Sequence, residues 1–271
     1  MKKYKSCKFD KVNRCQKEGS AGHLGTIKSV KKKYCAKIIN SSENKEYQFY
    51  EKNCGDEKRP ICEFMPDYDG LCVDNKLKYV VLEDLTKGMS NPQVMDIKMG
   101  KITASYTQLK GKKKKLSSKK KLKFLSKKIR HKIVALITIS NKYGFRATSI
   151  PSTKKRTRLS IGMLKPQKMF SIYFDNDKSN KALNSLIKKL TKLNNFVQSE
   201  EFNEYSFVGS SLLFVYDGTK NKRGNVNLSI IDFFRSRQSK RMTKNEKKYR
   251  ERFREGTNNL LQELIKFRDS N

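Results

Sequence analysis

The sequence predicts an α+β chain of two lobes, a small β-rich lobe over residues 1–85 and a larger mixed lobe over residues 86–271. Three observations point there. Before residue 85 apolar residues alternate in short runs, the period of strands, whereas beyond it such runs are interspersed with stretches of helical period. Between them Glu83-Asp84-Leu85-Thr86-Lys87-Gly88 breaks the pattern with polar residues and a glycine, as a connector does. A chain of 271 residues with 15 Phe and 12 Tyr can also bury a sizeable core, although only 36% of it is hydrophobic. No apolar run approaches the roughly 18–20 residues of a membrane span, and the N-terminal Met-Lys-Lys-Tyr-Lys-Ser-Cys lacks the apolar stretch of a signal peptide. The expectation is a soluble, monomeric protein of the cytoplasm, with nuclear residence left open. Its six cysteines, all within the first 72 residues and without a CxxC pair or a nearby His, are expected to be reduced.

Taken in order, residues 24–29 and 34–39 read as two strands around the basic turn Lys31-Lys32-Lys33, and 43–53 as a helix. Residues 53–75, with Gly55, Pro60, Pro66 and Gly70, are turn-rich, apart from a strand that 61–65 could form. Residues 78–82 are a buried strand. The second lobe opens near Pro92 with a strand over 94–99, runs through a lysine-rich helical stretch over 116–141, and has strands at 146–150 and 169–174. In residues 178–196, Leu183, Leu186, Ile187, Leu190 and Leu193 recur at helical spacing and give one apolar face. Strands over 207–216 and 226–233 are joined by a turn over 217–224, and 245–267 is helical, with Leu260, Leu261, Leu264 and Ile265 on one side. Two lobes and a connector suit a ligand held between them.

Charge narrows the partners. With 62 Lys and Arg against 26 Asp and Glu, the net charge is 62 − 26 = +36. From residue 97 to 174 there is no acidic residue at all, against 23 Lys and Arg. A lysine-rich codon bias explains many cations but not the missing acids, so a polyanionic partner is the better reading. Nucleic acid, an anionic membrane surface and a highly phosphorylated small molecule all fit the charge alone.

Three stretches carry chemistry. In Pro92-Gln93-Val94-Met95-Asp96-Ile97-Lys98-Met99-Gly100 the alternation of a strand puts Asp96 and Lys98 on one face and Met95, Ile97 and Met99 on the other, so an acid and an amine share a cavity. The strands 210–216 and 228–233 form an antiparallel hairpin whose residue numbers sum to about 442 across the pair, which sets Asp232 opposite Ser210 or Ser211. A carboxylate at a strand end beside hydroxyls is a good ligand for Mg2+, which takes one or two carboxylates and fills its other positions with phosphate and water. Lys37, in Cys35-Ala36-Lys37, shares a face with Cys35 and Ile39, and the helix that follows offers Glu46 and Glu51 as partners. Taken singly, each of these has an ordinary structural explanation: a surface ion pair, a strand-ending aspartate, a solvated lysine.

Together these pieces resemble the inositol polyphosphate kinases. The family signature Pro-x-x-x-Asp-x-Lys-x-Gly is matched without a gap from Pro92 to Gly100. Further likenesses follow in family order: Gly22-His23, Phe49-Tyr50-Glu51, Leu82-Glu83-Asp84-Leu85, Gly144-Phe145-Arg146, Ser210-Ser211-Leu212-Leu213 and Ile231-Asp232-Phe233. The resemblance implies a two-lobed, protein-kinase-like fold that binds ATP and Mg2+. Adenine docks at the connector near Glu83 and Leu85, Lys37 holds phosphates, and Asp232 with Ser210 holds the metal. Asp96 and Lys98 lie where the substrate meets the γ-phosphate. Where several members carry a basic residue two places after the signature glycine, this chain has Ile102. The family's contact at that place is therefore not carried over, and the substrate contacts expected here are Lys98, Lys101 and Lys110.

The insertion over 103–141 is the stretch that would choose the substrate. A ligand with six phosphates gains most from mobile ammonium groups, which favours inositol hexakisphosphate, converted to a diphosphoinositol phosphate. The alternative is a multikinase or trisphosphate kinase that phosphorylates a ring hydroxyl. A basic nucleic-acid-binding protein is the rival of another class. It accounts for the charge but not for Asp96, Lys98 and Asp232, and the basic window lacks the aromatic residues of a stacking platform.

Overall fold

Two sheets, one on either side of residues 84–91, organise the chain. The computed structural model describes residues 5–11, 15, 27–39, 45–101, 133–134, 136–151, 157–177, 179–219 and 226–271. Gly22-His23, Lys110, most of the insertion over 103–141 and most of the turn over 217–224 lie outside the described residues.

The first sheet has the order β1-β4-β5-β3-β2, built from β1 (Lys5–Ser6), β2 (Ile27–Val30), β3 (Tyr34–Ile38), β4 (Tyr68–Asp74) and β5 (Leu77–Glu83). The β2–β3 hairpin turns over Lys31-Lys32-Lys33, and Lys31 and Lys32 take left-handed backbone angles of φ 52° and 56°. Asp10 supports that turn by accepting from the Lys32 backbone N–H at 2.8 Å. One face of the sheet packs Val30, Ala36, Tyr79, Val81 and Cys72 into a local cluster. The other face receives α1 (Glu46–Cys54), whose Phe49 and Tyr50 are buried.

Three expectations fail in this lobe. The stretch read as turn-rich contains β4, whose alternation is obscured by Asp69 and by the irregular pairing at Tyr68 and Gly70, with Gly70 at φ 98°. Residues 61–65 are no strand: Pro60, with its fixed φ, starts a 3-10 turn over Pro60–Phe64. The cysteines are not free thiols either. Cys7 is bonded to Cys72, Cys15 to Cys35 and Cys54 to Cys62, at Cα separations of 4.9, 5.7 and 5.4 Å.

The second sheet has the order β10-β9-β6-β7, from β6 (Pro92–Met99), β7 (Phe145–Ser149), β9 (Ser211–Asp217) and β10 (Val226–Ile231). The β9–β10 register runs from Tyr216 opposite Val226 to Ser211 opposite Ile231, as the hairpin arithmetic predicts. A short pair, β8 (Tyr205–Ser206) with β11 (Arg237–Gln238), lies apart from it. Among the described residues the lobe also holds the helices α2 (Ser140–Tyr143), α3 (Arg158–Gly162), α4 (Pro166–Tyr173), α5 (Lys181–Gln198) and α6 (Lys244–Asp269) and a 3-10 turn over Glu201–Glu204. On α5 the five apolar residues noted at helical spacing are all buried. The strand expected over 169–174 is the helix α4. Pro166 opens it, and Met169, Phe170 and Tyr173 form one buried helical face that an alternating pattern cannot supply.

A glycine crossing holds the last helix against the signature strand. The Gly100 N–H donates to the Gly144 carbonyl at 2.7 Å, and a Cβ on Gly256 of α6 would stand 2.5 Å from that same oxygen. Gly256→Ala must push α6 away from this corner. The expected cost is about 1–3 kcal/mol, read in a thermal melt as about 2–4 °C per kcal/mol for a chain of this size.

Candidate active site

The signature strand β6 runs through the middle of the second sheet, and its alternation is the expected one: Met95, Ile97 and Met99 are buried on one face while Asp96 and Lys98 point to the other. Register then aligns partners. Lys98 is opposite Ser211 on β9 and opposite Arg146 on β7, so hydroxyl, amine and guanidinium stand in a row across three strands. β10 ends at Ile231, opposite Ser211, and the next residue is Asp232. Asp232 has φ 66°, a left-handed conformation that non-glycine residues adopt at a cost and that recurs at functional sites.

Asp232 is held between two lysines from different lobes. Lys37 Nζ lies 3.3 Å from its Oδ1 and Lys98 Nζ 3.2 Å from its Oδ2. Lys37 is braced in turn by Glu46 of α1, at 2.9 and 3.1 Å from the two carboxylate oxygens. Lys98 also donates to Ser211 Oγ at 3.1 Å. Aromatic packing fixes this spacing. Phe233, the residue after Asp232, stacks on Phe49 at 4.6 Å and meets Tyr50 edge-on at 5.2 Å, so α1 and the end of β10 are clamped one helical turn from Glu46.

The charges bias one another in opposite directions. Burial works to lower the Lys37 pKa, but the carboxylates of Glu46 and Asp232 outweigh it and hold the ammonium well above its usual range. At Asp232 burial works to raise the pKa, yet the ammoniums of Lys37 and Lys98 keep it below the ordinary carboxylate value. Asp96 goes the other way. Its burial, reinforced by the negative charge of Asp232, raises its pKa against the pull of Lys98 and of the Ser211 and Thr148 hydroxyls. Its Oδ1 is buried and has no hydrogen-bond partner among the described residues, which makes it a ready acceptor for a ligand hydroxyl. Arg146 is lowered by burial, with the Asp96 charge opposing.

A hard divalent cation fits at Asp232. Its side chain is 41% exposed, enough for an ion to reach it. It belongs to no group of three close His, Cys, Asp or Glu ligands among the described residues, where the one such group is Cys15, Cys35 and Asp84. An ion at Asp232 therefore draws most of its ligands from phosphate and water, which is the habit of Mg2+.

The remaining predicted residues fall as follows. Glu51, the other candidate brace for Lys37, accepts from the Tyr68 hydroxyl at 2.7 Å. The Ser210 hydroxyl, expected at the metal, donates to the Asp232 carbonyl at 3.2 Å and meets Ser236 at 3.1 Å, so it fixes the bend of the chain, while Ser211 one place on faces the lysine. Lys101 is paired with Glu255 of α6 at 2.8 Å, with both side chains partly exposed. Glu83 is paired with Tyr34 at the end of β5, and Leu85 is buried with its carbonyl accepting from Asn227 at 2.6 Å. Arg146 and Ser211 are additions. The tripeptide Gly144-Phe145-Arg146 was a visible motif, but only the register opposite Lys98 shows which way its arginine matters.

Comparison with known proteins points to one family. A family model described as inositol polyphosphate kinase matches residues 79–267. Inositol hexakisphosphate kinase 1 of Saccharomyces cerevisiae is 31% identical over 171 residues, 58% of this chain, and the chain spans 15% of that protein's length. Among solved structures, inositol phosphate multikinase Ipk2 of S. cerevisiae in complex with ADP and Mn2+ superposes with a TM-score of 0.62 at 23% identity, covering 87% of this chain and 99% of the other. A second inositol phosphate multikinase structure gives 0.57 at 18% identity, with 82% and 98% covered. The two sheets and the connector between them are thus the kinase-like fold of these neighbours.

Proposed function

The chain belongs to the inositol polyphosphate kinase family, and on that footing we propose that it transfers the γ-phosphate of ATP, with Mg2+, to inositol hexakisphosphate, making a diphosphoinositol phosphate. The observation that carries the transfer is the bracketing of Asp232 by Lys37 and Lys98. Phosphoryl transfer asks for positioning and charge neutralisation more than for covalent help. Lys37, held by Glu46, grips the nucleotide phosphates, and Glu83 and Leu85 flank the adenine. Asp232 holds the cation, which neutralises phosphate charge when bound. Lys98 sits where negative charge moves with the transferring group, and Asp96 accepts a hydroxyl of ribose or substrate. A phosphate nucleophile is already ionised near neutral pH, so no strong general base is required of Asp96.

The choice of hexakisphosphate rests on the acid-free window over 97–174 and on the identity to a hexakisphosphate kinase. The multikinase reading, with a ring hydroxyl as acceptor, draws on the two solved neighbours. NMR identification of the product from ATP, Mg2+ and hexakisphosphate separates the two: a new diphosphate resonance supports the first, and turnover confined to less phosphorylated inositols replaces it with the second. Neutralising Lys112, Lys113, Lys114 and Lys115 together is expected to raise KM for hexakisphosphate more than for a trisphosphate, because more phosphates lose partners. Equal increases for both substrates would show that the lysine run does not read phosphate number.

A further inference from the structure

The face of the second sheet that carries Lys98 changes character along its length. Side chains two apart on β6 stand on one face about 6–7 Å apart, so Lys98, Asp96 and Val94 mark three successive rows, which the register fills from the neighbouring strands. The first row holds Arg146, Lys98 and Ser211, with Asp232 paired to its lysine. The third is apolar: Val94 stands opposite Val215, and both pack with Leu213, Met89 and Leu85 of the connector. Between charge and apolar surface lies the row of Ser149, Asp96 and Leu213.

That middle row is irregular. The β6–β7 register shifts between Asp96 and Ile97, which leaves Thr148 as an extra residue beside the Asp96–Ser149 pair. An extra residue of this kind bends its strand and re-aims side chains. The Thr148 hydroxyl donates to the Asp96 carbonyl at 3.3 Å. Ser149 Oγ is buried and makes no hydrogen bond among the described residues, and the same holds for Oδ1 of Asp96, the residue it is paired with. Directly opposed residues share one face with Cβ atoms about 4.5–5.5 Å apart. A hydroxyl and a carboxylate oxygen that could satisfy one another therefore stand close together unbonded, which is rare among buried groups. Ser149 as a whole is half-buried, so a turn of χ1 between staggered positions can bring its hydroxyl to the surface of this face.

We propose that Ser149 is a specificity-determining residue that reads the sugar of the nucleotide: of two neighbouring ribose hydroxyls, Asp96 Oδ1 accepts from one and Ser149 Oγ bonds the other. The proposal deepens the nucleotide reading above and rests on it. The order of the rows is the order of a ribonucleoside triphosphate laid along β6. Its phosphates meet the charged row, its sugar the row of hydroxyl and carboxylate one step on, and its base the apolar row beside Leu85. Ribose is the part of that molecule with two adjacent alcohols. Inositol hexakisphosphate has every hydroxyl phosphorylated and offers this pair no alcohol, which assigns the pair to the nucleotide. A site built to bond an alcohol rejects the analogue that lacks it, because its own polar groups are then left unpaired.

The test is isothermal titration calorimetry of the full chain with Mg2+ and ATP, 2′-deoxy-ATP or 3′-deoxy-ATP, without an acceptor, on the parent and on Ser149→Ala. The parent is expected to bind each deoxynucleotide about threefold to tenfold more weakly than ATP, the loss that goes with one hydrogen bond. Ser149→Ala is expected to weaken ATP by a similar factor and to leave one of the two deoxynucleotides unchanged, so that discrimination against that one disappears. Its melting temperature should not fall, because the hydroxyl removed has no partner among the described residues. Equal loss for all three nucleotides, or a lowered melt, makes Ser149 structural and overturns the proposal. A variant that discriminates against both deoxynucleotides as the parent does overturns it as well. Equal, measurable affinity of the parent for all three nucleotides overturns the ribose contact and leaves the nucleotide reading standing. A folded parent that binds no ATP overturns both.

Discussion

Asp232→Asn is expected to lower the rate of phosphoryl transfer by roughly a thousandfold or more, since several kcal/mol of charge stabilisation go with the cation and about 1.4 kcal/mol is a factor of ten. Asparagine is the informative replacement. Position 232 has φ 66°, and asparagine tolerates the left-handed region about as well as aspartate, so the backbone bend survives. Alanine would mix a chemical loss with a conformational one. The neighbours keep partners in the variant: Lys37 retains Glu46, and Lys98 retains Ser211. The ion pairs that are lost involve a carboxylate that is 41% exposed, so solvent screening limits their share of the stability. Single-turnover kinetics at several Mg2+ concentrations, alongside a thermal melt, check the prediction. An active variant with an unchanged metal requirement and an intact melt would assign the metal to a different carboxylate.

Much of this site could be read before any fold was known, and the reason is period. A strand has a side-chain repeat of two, so the spacing of Asp96 and Lys98 already put them on one face. A two-stranded hairpin has a fixed register sum, so Asp232 already fell beside Ser210 and Ser211. Glu46 and Glu51 could both be offered to Lys37 because a helical stretch follows the strand closely in the sequence, and the structure brings Glu46 to it. What failed depends on distance in sequence or on competition between neighbours. Cys7 and Cys72 meet because β1 lies parallel to β4, a pairing with no local signal. Ser210 and Ser211 differ by one residue and so by one face, and only the register tells which hydroxyl turns to the lysine. The pairing of Lys101 with Glu255 of α6 is likewise a contact between residues far apart in sequence, with no local signal. The residues of α4 are apolar and bulky enough to be read as a strand, but Pro166 and the tertiary face made by Phe170, Tyr173 and Phe267 decide for a helix. The aromatic clamp of Phe49 on Phe233 shows that a likeness between two short motifs, one in each lobe, is in fact one contact.

Lys98→Met separates the roles of the two lysines. Methionine keeps the length and most of the volume of the stem, so the row of Ser211, residue 98 and Arg146 stays filled while the charge is removed. If Lys98 acts on the transferring phosphoryl group, the charge matters more in the transition state than in the bound complex, and the loss falls on kcat, by about a hundredfold to a thousandfold. KM for ATP is expected to change little, because Lys37, the lysine proposed to hold the nucleotide phosphates, is still braced by Glu46. Lys37→Met should reverse the balance, raising KM for ATP as well as lowering kcat, if that lysine holds the nucleotide phosphates as proposed. Removing Lys98 also takes one ammonium from Asp232, and its carboxyl pKa should rise from its depressed value towards the ordinary range, which weakens cation binding as the pH falls through that new value. The metal titration of Lys98→Met should therefore be more acid-sensitive than that of the parent. A variant that loses affinity for ATP but keeps kcat would place Lys98 on the nucleotide, and the transferring group would then have to be met by Arg146, its neighbour across β7.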